Sequence, residues 1–299
     1  MHVGLIGLGK MGYNLGLNMM DHAHQVTAYD VNEDAVARFA AEGGSGVHSL
    51  DELVRSLPSP RVLWVMVPHQ FVDNVLADVK KLLAPGDIVI EGGNSKFDES
   101  IRRAEEFKQL GMFYFDVGTS GGMEGARHGA CYMIGGDADV FKVIEPLFKD
   151  TAVPNGYAYM GPSGSGHFTK MVHNGVEYGM MAAIGEGFEV LENSQFDLDY
   201  ETVARVWANG SVIRGWLMDL TLNAFSKDPK LSSIKGVMQA SGEGLWTVEE
   251  ALRTQTPVPI IALSLMMRNR SLTDDTFTGK VVAALRNEFG GHAIETKGV

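Results

Sequence analysis

A glycine turn, Gly7-Leu8-Gly9-Lys10-Met11-Gly12, stands between an apolar run at 2–6 and a helical pattern over 10–21. A strand that enters a helix through three glycines at this spacing has few folds open to it. Gly7 permits the tight turn, Gly9 leaves room for a phosphate to approach the backbone, and Gly12 lets helix and strand pack closely. The helix N-terminus favours negative charge at the same place. Residues 25–29 read as a second strand, and Asp30 ends it. A carboxylate there accepts hydrogen bonds from both ribose hydroxyls of NAD and repels the 2′-phosphate of NADP. The next residues, Val31, Asn32 and Glu33, include no arginine. The motif therefore predicts a dinucleotide site with NAD preferred over NADP. The competing reading of Asp30 or Asn32 is a cap on the helix expected at 32–42.

Strand and helix patterns go on alternating. Strands are expected at 62–67, 88–91, 112–117 and 131–136, with helices at 70–83, 98–109 and 138–148. The run at 62–67 is continuously apolar, as in a parallel strand buried on both faces, and it places Val67 at the cofactor end. Beyond Pro162, Gly164 and Gly166 the pattern turns helical, with segments near 166–193, 200–224, 247–253, 257–269 and 276–288. The expected fold is an α/β Rossmann-type dinucleotide-binding domain over 1–163, followed by an all-α domain over 164–299. The long helix beginning near 166 reads as buried all round.

Composition narrows the class. Lysine and arginine total 25 against 37 acidic residues, a formal charge of −12. That balance disfavours nucleic-acid binding, and an anionic substrate then needs a locally positive pocket. Cys131 is the only cysteine, so no intrachain disulfide forms. The N-terminus shows no secretory pattern, and the late apolar stretch 258–267 is too short to cross a bilayer. A cytoplasmic protein without membrane insertion is expected.

The most informative segment is 164–178, GSGHFTKMVHNGVEY. Lys170, His173, Asn174 and Glu177 follow the spacing that brings residues onto one helix face. Core apolar residues normally occupy such a stripe. Charged groups on a buried helix need partners or a ligand. An ion pair on a solvated face is the competing reading. The set suits oxidation of a secondary alcohol: Lys170 as a neutral amine takes the hydroxyl proton, then as an ammonium polarises the new carbonyl. A β-keto acid formed this way loses carbon dioxide, and Glu177 is placed to protonate the enediol. His173 and Asn174 would orient the substrate. No metal is required.

Two glycine-rich loops follow predicted strand ends, where ligands bind in open α/β sheets. In 117–122 (VGTSGG), Ser120, Gly121 and Gly122 present amides suited to a carboxylate. In 92–95 (GGNS), Asn94 is placed to contact nicotinamide ribose or substrate, unless Asn94 or Ser95 caps the next helix. Arg268, Arg286 and His292 lie late in the chain. Taken singly, each reads as a surface residue.

At LIGLGKMG, GGNS, VGTSGGMEGARHG and above all GHFTKMVHNGVEYG, the chain resembles the 6-phosphogluconate dehydrogenase family over nearly its whole length. The resemblance implies that Lys170 is base then acid and that Glu177 protonates C1 of the enediol. Ser120, Gly121, Gly122, His173, Asn174 and Tyr178 would hold the sugar acid, with Asn94 between cofactor and substrate. Leu8 and Met11 would join the glycines at the cofactor. Arg268 matches the family's phosphate arginine, and 286–292 (RNEFGGH) resembles its tail motif, so Arg286 and His292 would bind phosphate and substrate. In that family the tail completes a neighbouring subunit's site, which implies a homo-oligomer, a dimer or tetramer. The chain looks like the family's short form. Alignment on Trp246 places Ser241 and Glu243 where long members carry a lysine and a threonine, and Glu243 would repel a phosphate. Asp30-Val-Asn replaces the Asn-Arg-Thr of NADP-dependent relatives. Two other functions stay open: a β-hydroxyacid dehydrogenase that does not decarboxylate, and a noncatalytic nucleotide-binding protein.

Overall fold

The computed structural model describes residues 1–290 and 293–295, and the chain divides into two compact units, Met1–Asn174 and Gly175–Val299. The first unit is built on one sheet of eight strands: β1 (His2–Ile6), β2 (Gln25–Tyr29), β3 (Ser45–Gly46), β4 (Val62–Val65), β5 (Ile88–Glu91), β6 (Phe113–Ser120), β7 (Ala130–Gly135) and β8 (Ala152–Gly161). Their order is β3-β2-β1-β4-β5-β6-β7-β8. Pairing is parallel from β3 through to β6, antiparallel between β6 and β7, and parallel again between β7 and β8. The helices of this unit are α1 (Lys10–Asp21), α2 (Glu33–Ala41), α3 (Leu50–Ser56), α4 (His69–Val79), α5 (Phe97–Gln109), α6 (Gly122–His128) and α7 (Ala138–Thr151).

Strand β4 shows why this unit is stable. Val62 and Trp64 enter one hydrophobic cluster and Leu63 and Val65 enter another. The period of two thus feeds both faces of the sheet, and each fully buried side chain of this size stabilises by about 1.5–3 kcal/mol. The strand order reverses between β1 and β4, which opens a crevice at their carboxyl ends.

The expected Rossmann-type domain followed by helices is present, with local differences. Strand β6 runs on through Ser120, so Gly118, Thr119 and Ser120 are strand rather than loop. Strand β8 was not expected, because Pro154, Asn155 and Gly156 signal a turn. It forms at the sheet edge, where a missing proline N–H is tolerated. The pairing jumps from Ala130↔Ala152 to Tyr132↔Tyr157, so the four residues 153–156 bulge out of register.

The helices that follow are α8 (Ser165–Glu192), α9 (Tyr200–Ala208), α10 (Trp216–Lys227), α11 (Gly242–Arg253), α12 (Pro259–Ser271) and α13 (Phe277–Gly290). The segment at 200–224, expected as one helix, is two. Gly210 at φ 79° and Gly215 at φ 152° adopt backbone that L-residues rarely take, and this breaks the run. Phe188, Tyr200, Ala204, Met218 and Phe225 form the core of the second unit. Helix α8 is not buried all round: Val172, Val176 and Met180 are exposed at intervals of one turn. Among the described residues no helix is long and apolar enough to cross a membrane.

The first unit extends past residue 163 because the opening turns of α8 press directly on the sheet. A Cβ on Gly166 would lie 2.2 Å from the Asp116 carbonyl oxygen, and one on Gly118 would lie 2.3 Å from Lys170 Cβ. Both glycines are required by this contact. The buried Asp116 carboxylate accepts the Gly164 amide at 2.6 Å and the His167 amide at 2.8 Å, which satisfies the N-terminus of α8.

Candidate active site

The glycine turn closes as its sequence requires. Gly7 has φ 101°, and a Cβ on Gly12 would lie 2.0 Å from the Gly7 carbonyl oxygen. Gly9 differs, since a Cβ there meets nothing within 4 Å. Protein packing therefore does not explain this glycine, and open space beside a helix N-terminus fits a phosphate. Gly9, Met11 and Gly12 line a groove of about 260 Å³ together with Met66, Val67, Pro68, Gly92, Gly93, Asn94 and Thr119. Of the expected cofactor residues, Gly7, Leu8 and Asp30 do not line this groove. Asp30 lies beside the turn instead: its carboxylate accepts the Leu8 amide at 2.5 Å and the Asn32 amide at 2.8 Å. Asn32, not Asp30, caps α2, by accepting the Asp34 and Ala35 amides. Both Asp30 oxygens retain a further lone pair for a ribose hydroxyl.

Asn94 has φ 58°, a left-handed conformation that asparagine tolerates better than most residues. Its side chain is clamped to β6: Nδ2 donates to the Thr119 carbonyl at 3.3 Å, and Oδ1 accepts the Thr119 amide at 3.1 Å. Neither Asn94 nor Ser95 caps α5, whose N-cap is Lys96. One residue beyond Thr119, Ser120 Oγ lies 3.4 Å from His173 Nε2. Gly121, at φ 108°, then turns the chain into α6 through Gly122.

On α8, Lys170 is 5% exposed. Its Nζ donates to Asn174 Oδ1 at 2.7 Å and lies 3.3 Å from His173 Nδ1. Asn174 Oδ1 is 2.9 Å from His173 Nδ1. The helical spacing thus brings amine, imidazole and amide into contact, and His173 continues the chain to Ser120. A buried amine held this way has its rotamer fixed before any substrate arrives, the preorganisation that proton transfer needs. Burial raises the Cys131 thiol pKa, while the nearby Lys170 charge opposes that shift. Glu177 falls in the second unit and is half-buried.

Within the second unit, the buried Tyr178 is a hub. Its hydroxyl accepts the Ser241 amide at 2.8 Å and lies 3.0 Å from Ser241 Oγ. The Arg268 guanidinium stacks 3.6 Å from the Tyr178 ring centroid and donates to the Gln239 carbonyl at 2.8 Å. A Cβ on Gly244 would lie 2.4 Å from the Tyr178 ring. Ser241 is the N-cap of α11 and Glu243 sits in its first turn. Arg286 is exposed on α13. His292 lies outside the described residues.

Residues 2–161 match the model of the NAD binding domain of 6-phosphogluconate dehydrogenase, and residues 166–279 match the 6-phosphogluconate dehydrogenase C-terminal domain. The chain belongs to the 6-phosphogluconate dehydrogenase family. It is accordingly an oxidoreductase built on a nicotinamide-cofactor domain. It is 66% identical to YqeC of Bacillus subtilis strain 168, over 99% of this chain and 100% of that one, whose name gives 6-phosphogluconate dehydrogenase provisionally. It is 43% identical to the NAD(+)-dependent decarboxylating 6-phosphogluconate dehydrogenase of Haloferax volcanii, over 99% of each chain. A solved relative, Plasmodium falciparum 6-phosphogluconate dehydrogenase, has a TM-score of 0.84 at 28% identity. That structure covers 99% of this chain, which spans 66% of its length.

Sequence reading did not single out several residues of this dehydrogenase that frame the groove. Thr119 and Met66 line it, and Thr119 clamps Asn94 through its backbone. The run ending at Val67 offered a signal for Met66. For Thr119 the signal was only its place in the VGTSGG run, because its hold on Asn94 is main-chain and almost any residue type supplies it.

Proposed function

We propose that the protein oxidises and decarboxylates 6-phosphogluconate to ribulose 5-phosphate and carbon dioxide, with NAD preferred over NADP. The observation that carries this reading is the buried Lys170 amine, bonded to Asn174 and linked through His173 to Ser120. The groove lined by Gly9, Met11, Gly12 and Asn94 would hold the nicotinamide cofactor, which would supply the acceptor for the hydride from C3 of the sugar acid. Lys170 takes the C3 hydroxyl proton, and as an ammonium it stabilises negative charge on the keto oxygen while C1 leaves as carbon dioxide. Glu177 supplies the proton that the enediol takes up at its new terminal carbon. Ser120, Gly121, Gly122, His173, Asn174 and Tyr178 hold the sugar acid. Arg268, with Arg286 and His292, takes the phosphate end.

Several observations support NAD preference. Asp30 holds its carboxylate beside the glycine turn, Val31 next to it is 89% exposed and offers no positive charge, and the first turn of α2 adds Glu33 and Asp34. The Haloferax volcanii relative is named as NAD(+)-dependent. The proposal extends to self-association, supported in the second unit by α12, which exposes Ile260, Leu263, Met266 and Met267. A second copy of this chain is the occupant proposed for that face.

The test supplies purified protein with 6-phosphogluconate and either NAD or NADP, following cofactor reduction and trapping carbon dioxide. NAD-preferred reduction with matching carbon dioxide is expected. Glu177→Gln should lower turnover by about 10²-fold, as expected for a general acid. Reduction without carbon dioxide, unaffected by Glu177→Gln, points to a β-hydroxyacid dehydrogenase that does not decarboxylate. Cofactor binding without turnover on any hydroxy acid points to a nucleotide-binding protein.

A further inference from the structure

Behind the groove lies a group of buried ionisable side chains that the proposed chemistry does not use. Glu91, at the end of β5, is 0% exposed, Arg103 of α5 is 3% and His167 of α8 is 1%. The Glu91 carboxylate accepts the Gly93 amide at 2.7 Å and the Tyr114 hydroxyl at 3.1 Å. It meets Arg103 Nη1 at 3.5 Å and His167 Nδ1 at 3.6 Å. Arg103 also donates from Nη1 to Ser95 Oγ at 2.9 Å and from Nε to Asp73 Oδ1 at 2.8 Å. His167 Nδ1 lies 2.7 Å from Ser100 Oγ.

Stability alone does not account for this group. A buried ion cluster is often no better than apolar side chains of the same volume. His167 makes the case stronger, because its Nε2 is buried and meets no hydrogen-bond partner among the described residues. A ring nitrogen left in that state works against folding. The cluster does, however, reach both segments that carry the candidate site. Gly93 and Ser95 flank Asn94 on either side, so Glu91 and Arg103 hold the loop that keeps Asn94 in its left-handed conformation. His167 stands three residues before Lys170, and the two side chains leave α8 on the same face.

We infer that Glu91, Arg103 and His167 form a positioning centre that fixes the Asn94 loop against the Lys170 helix. None of the three lines the groove. They act through Gly93, Ser95 and the first turn of α8, and they set the separation between the residue at the cofactor groove and the proton-accepting amine. This inference rests on the roles proposed above for Asn94 and Lys170.

The test compares full-length His167→Leu, His167→Asn and Ser95→Ala with the parent. Leucine fills the volume without a polar contact, whereas the asparagine amide nitrogen can replace Nδ1 toward Ser100. Expected for His167→Leu is a melting temperature close to the parent's, kcat lowered about tenfold or more, and a KM for NAD changed less than about twofold, the pattern of misplacement rather than lost binding. His167→Asn should recover most of the kcat. Ser95→Ala, which severs only the Arg103 link to the loop, should lower kcat a few-fold and speed hydrogen exchange at the Gly93 amide. Parent-like kcat in His167→Leu, or a loss that tracks the melting temperature with asparagine no better than leucine, overturns the inference. If His167→Leu does not fold, Ser95→Ala decides alone, and unchanged kcat and exchange overturn the inference. If the parent itself does not turn over 6-phosphogluconate, the proposed function has failed. Gly93 exchange in the variants then still tests the centre, and unchanged protection overturns it.

Discussion

In the sheet unit, β4 buries Val62 and Trp64 on one face and Leu63 and Val65 on the other, while in the helical unit α12 leaves Ile260 68% exposed, Leu263 56% and Met266 61%. The first unit closes its core with its own helices and bonds its buried carboxylates, Asp87, Glu91 and Asp116, to amides. The second has a core of few residues and presents apolar side chains at helical spacing to solvent. Burial of each such side chain would stabilise by about 1.5–3 kcal/mol. The contrast teaches a division of labour. One unit prearranges buried polar groups, and the other leaves apolar side chains of α12 exposed. On the proposed reading, the cofactor groove and the proton-accepting Lys170 belong to the first unit, while the second adds Glu177 and carries assembly.

The hardest test of that division is Lys170→Met. Removal of the amine should lower turnover by about 10²–10⁴-fold, the range for a general base, while NAD binding followed by fluorescence titration stays near the parent's. Cofactor binding lost together with turnover would show that Lys170 holds the fold of the sheet unit rather than serving its chemistry. The corresponding change in the helical unit is Leu263→Asp. A carboxylate at an interface anchor should weaken self-association by about 30-fold or more, equivalent to about 2 kcal/mol. Sedimentation velocity reads this directly. A parent that sediments as a monomer, or a variant that associates like the parent, removes assembly from α12.

The two units also differed in how far their sequences could be read. β1, α1 and β2 were legible because apolar period and glycine turn agree over a short stretch. The contact of Lys170 with His173 and Asn174 was legible because helical spacing alone brings those residues together. Burial was not: α8 reads as buried all round, yet exposes Val172, Val176 and Met180. Edge strand β8 was hidden by Pro154, Asn155 and Gly156, whose turn chemistry is real but is absorbed by a bulge. The cluster of Glu91, Arg103 and His167 was invisible for another reason. Its members meet only through the fold, and Arg103 stands in a charged run of α5 that reads as a solvated helix.

A smaller effect is expected at Asp30, which joins the sheet unit's selectivity to its structure. Its carboxylate is both the proposed ribose acceptor and the acceptor of the Leu8 and Asn32 amides. Asp30→Ser removes the repulsion of a 2′-phosphate but also loosens the glycine turn. The ratio of kcat/KM for NAD over NADP should fall about tenfold, the worth of about 1.4 kcal/mol, with most of the change in the NAD value. An unchanged ratio would place cofactor choice elsewhere, and an improved NAD value would contradict the ribose role.

The smallest effect compares two carboxylates, one in each unit, both held at about 2 from an ordinary value of 3.8. Asp228 is lowered chiefly by the Ser233 amide and hydroxyl, five residues away in the same loop. Asp73 is lowered chiefly by Arg103, with Arg102 adding to it, so its bonds run from α4 to α5. A carboxyl whose pKa falls on folding stabilises the folded state fully above its unfolded value. That stabilisation is lost as pH drops from near 3.8 through about 2. Asp73 is largely exposed, so solvent screens much of the pair and the contribution is small. Asp73→Asn should lower the melting temperature at pH 7 by no more than about 2 °C, and the gap should close as pH falls toward 2. Asp228→Asn should show a gap that closes over the same window without changing turnover at pH 7. Asp73→Asn should lower turnover slightly there, because its arginine partner belongs to the proposed positioning centre. Equal turnover in the two variants would reduce the Asp73 bridge to an ordinary surface pair, and the sheet unit's buried polar groups would then end at Arg103.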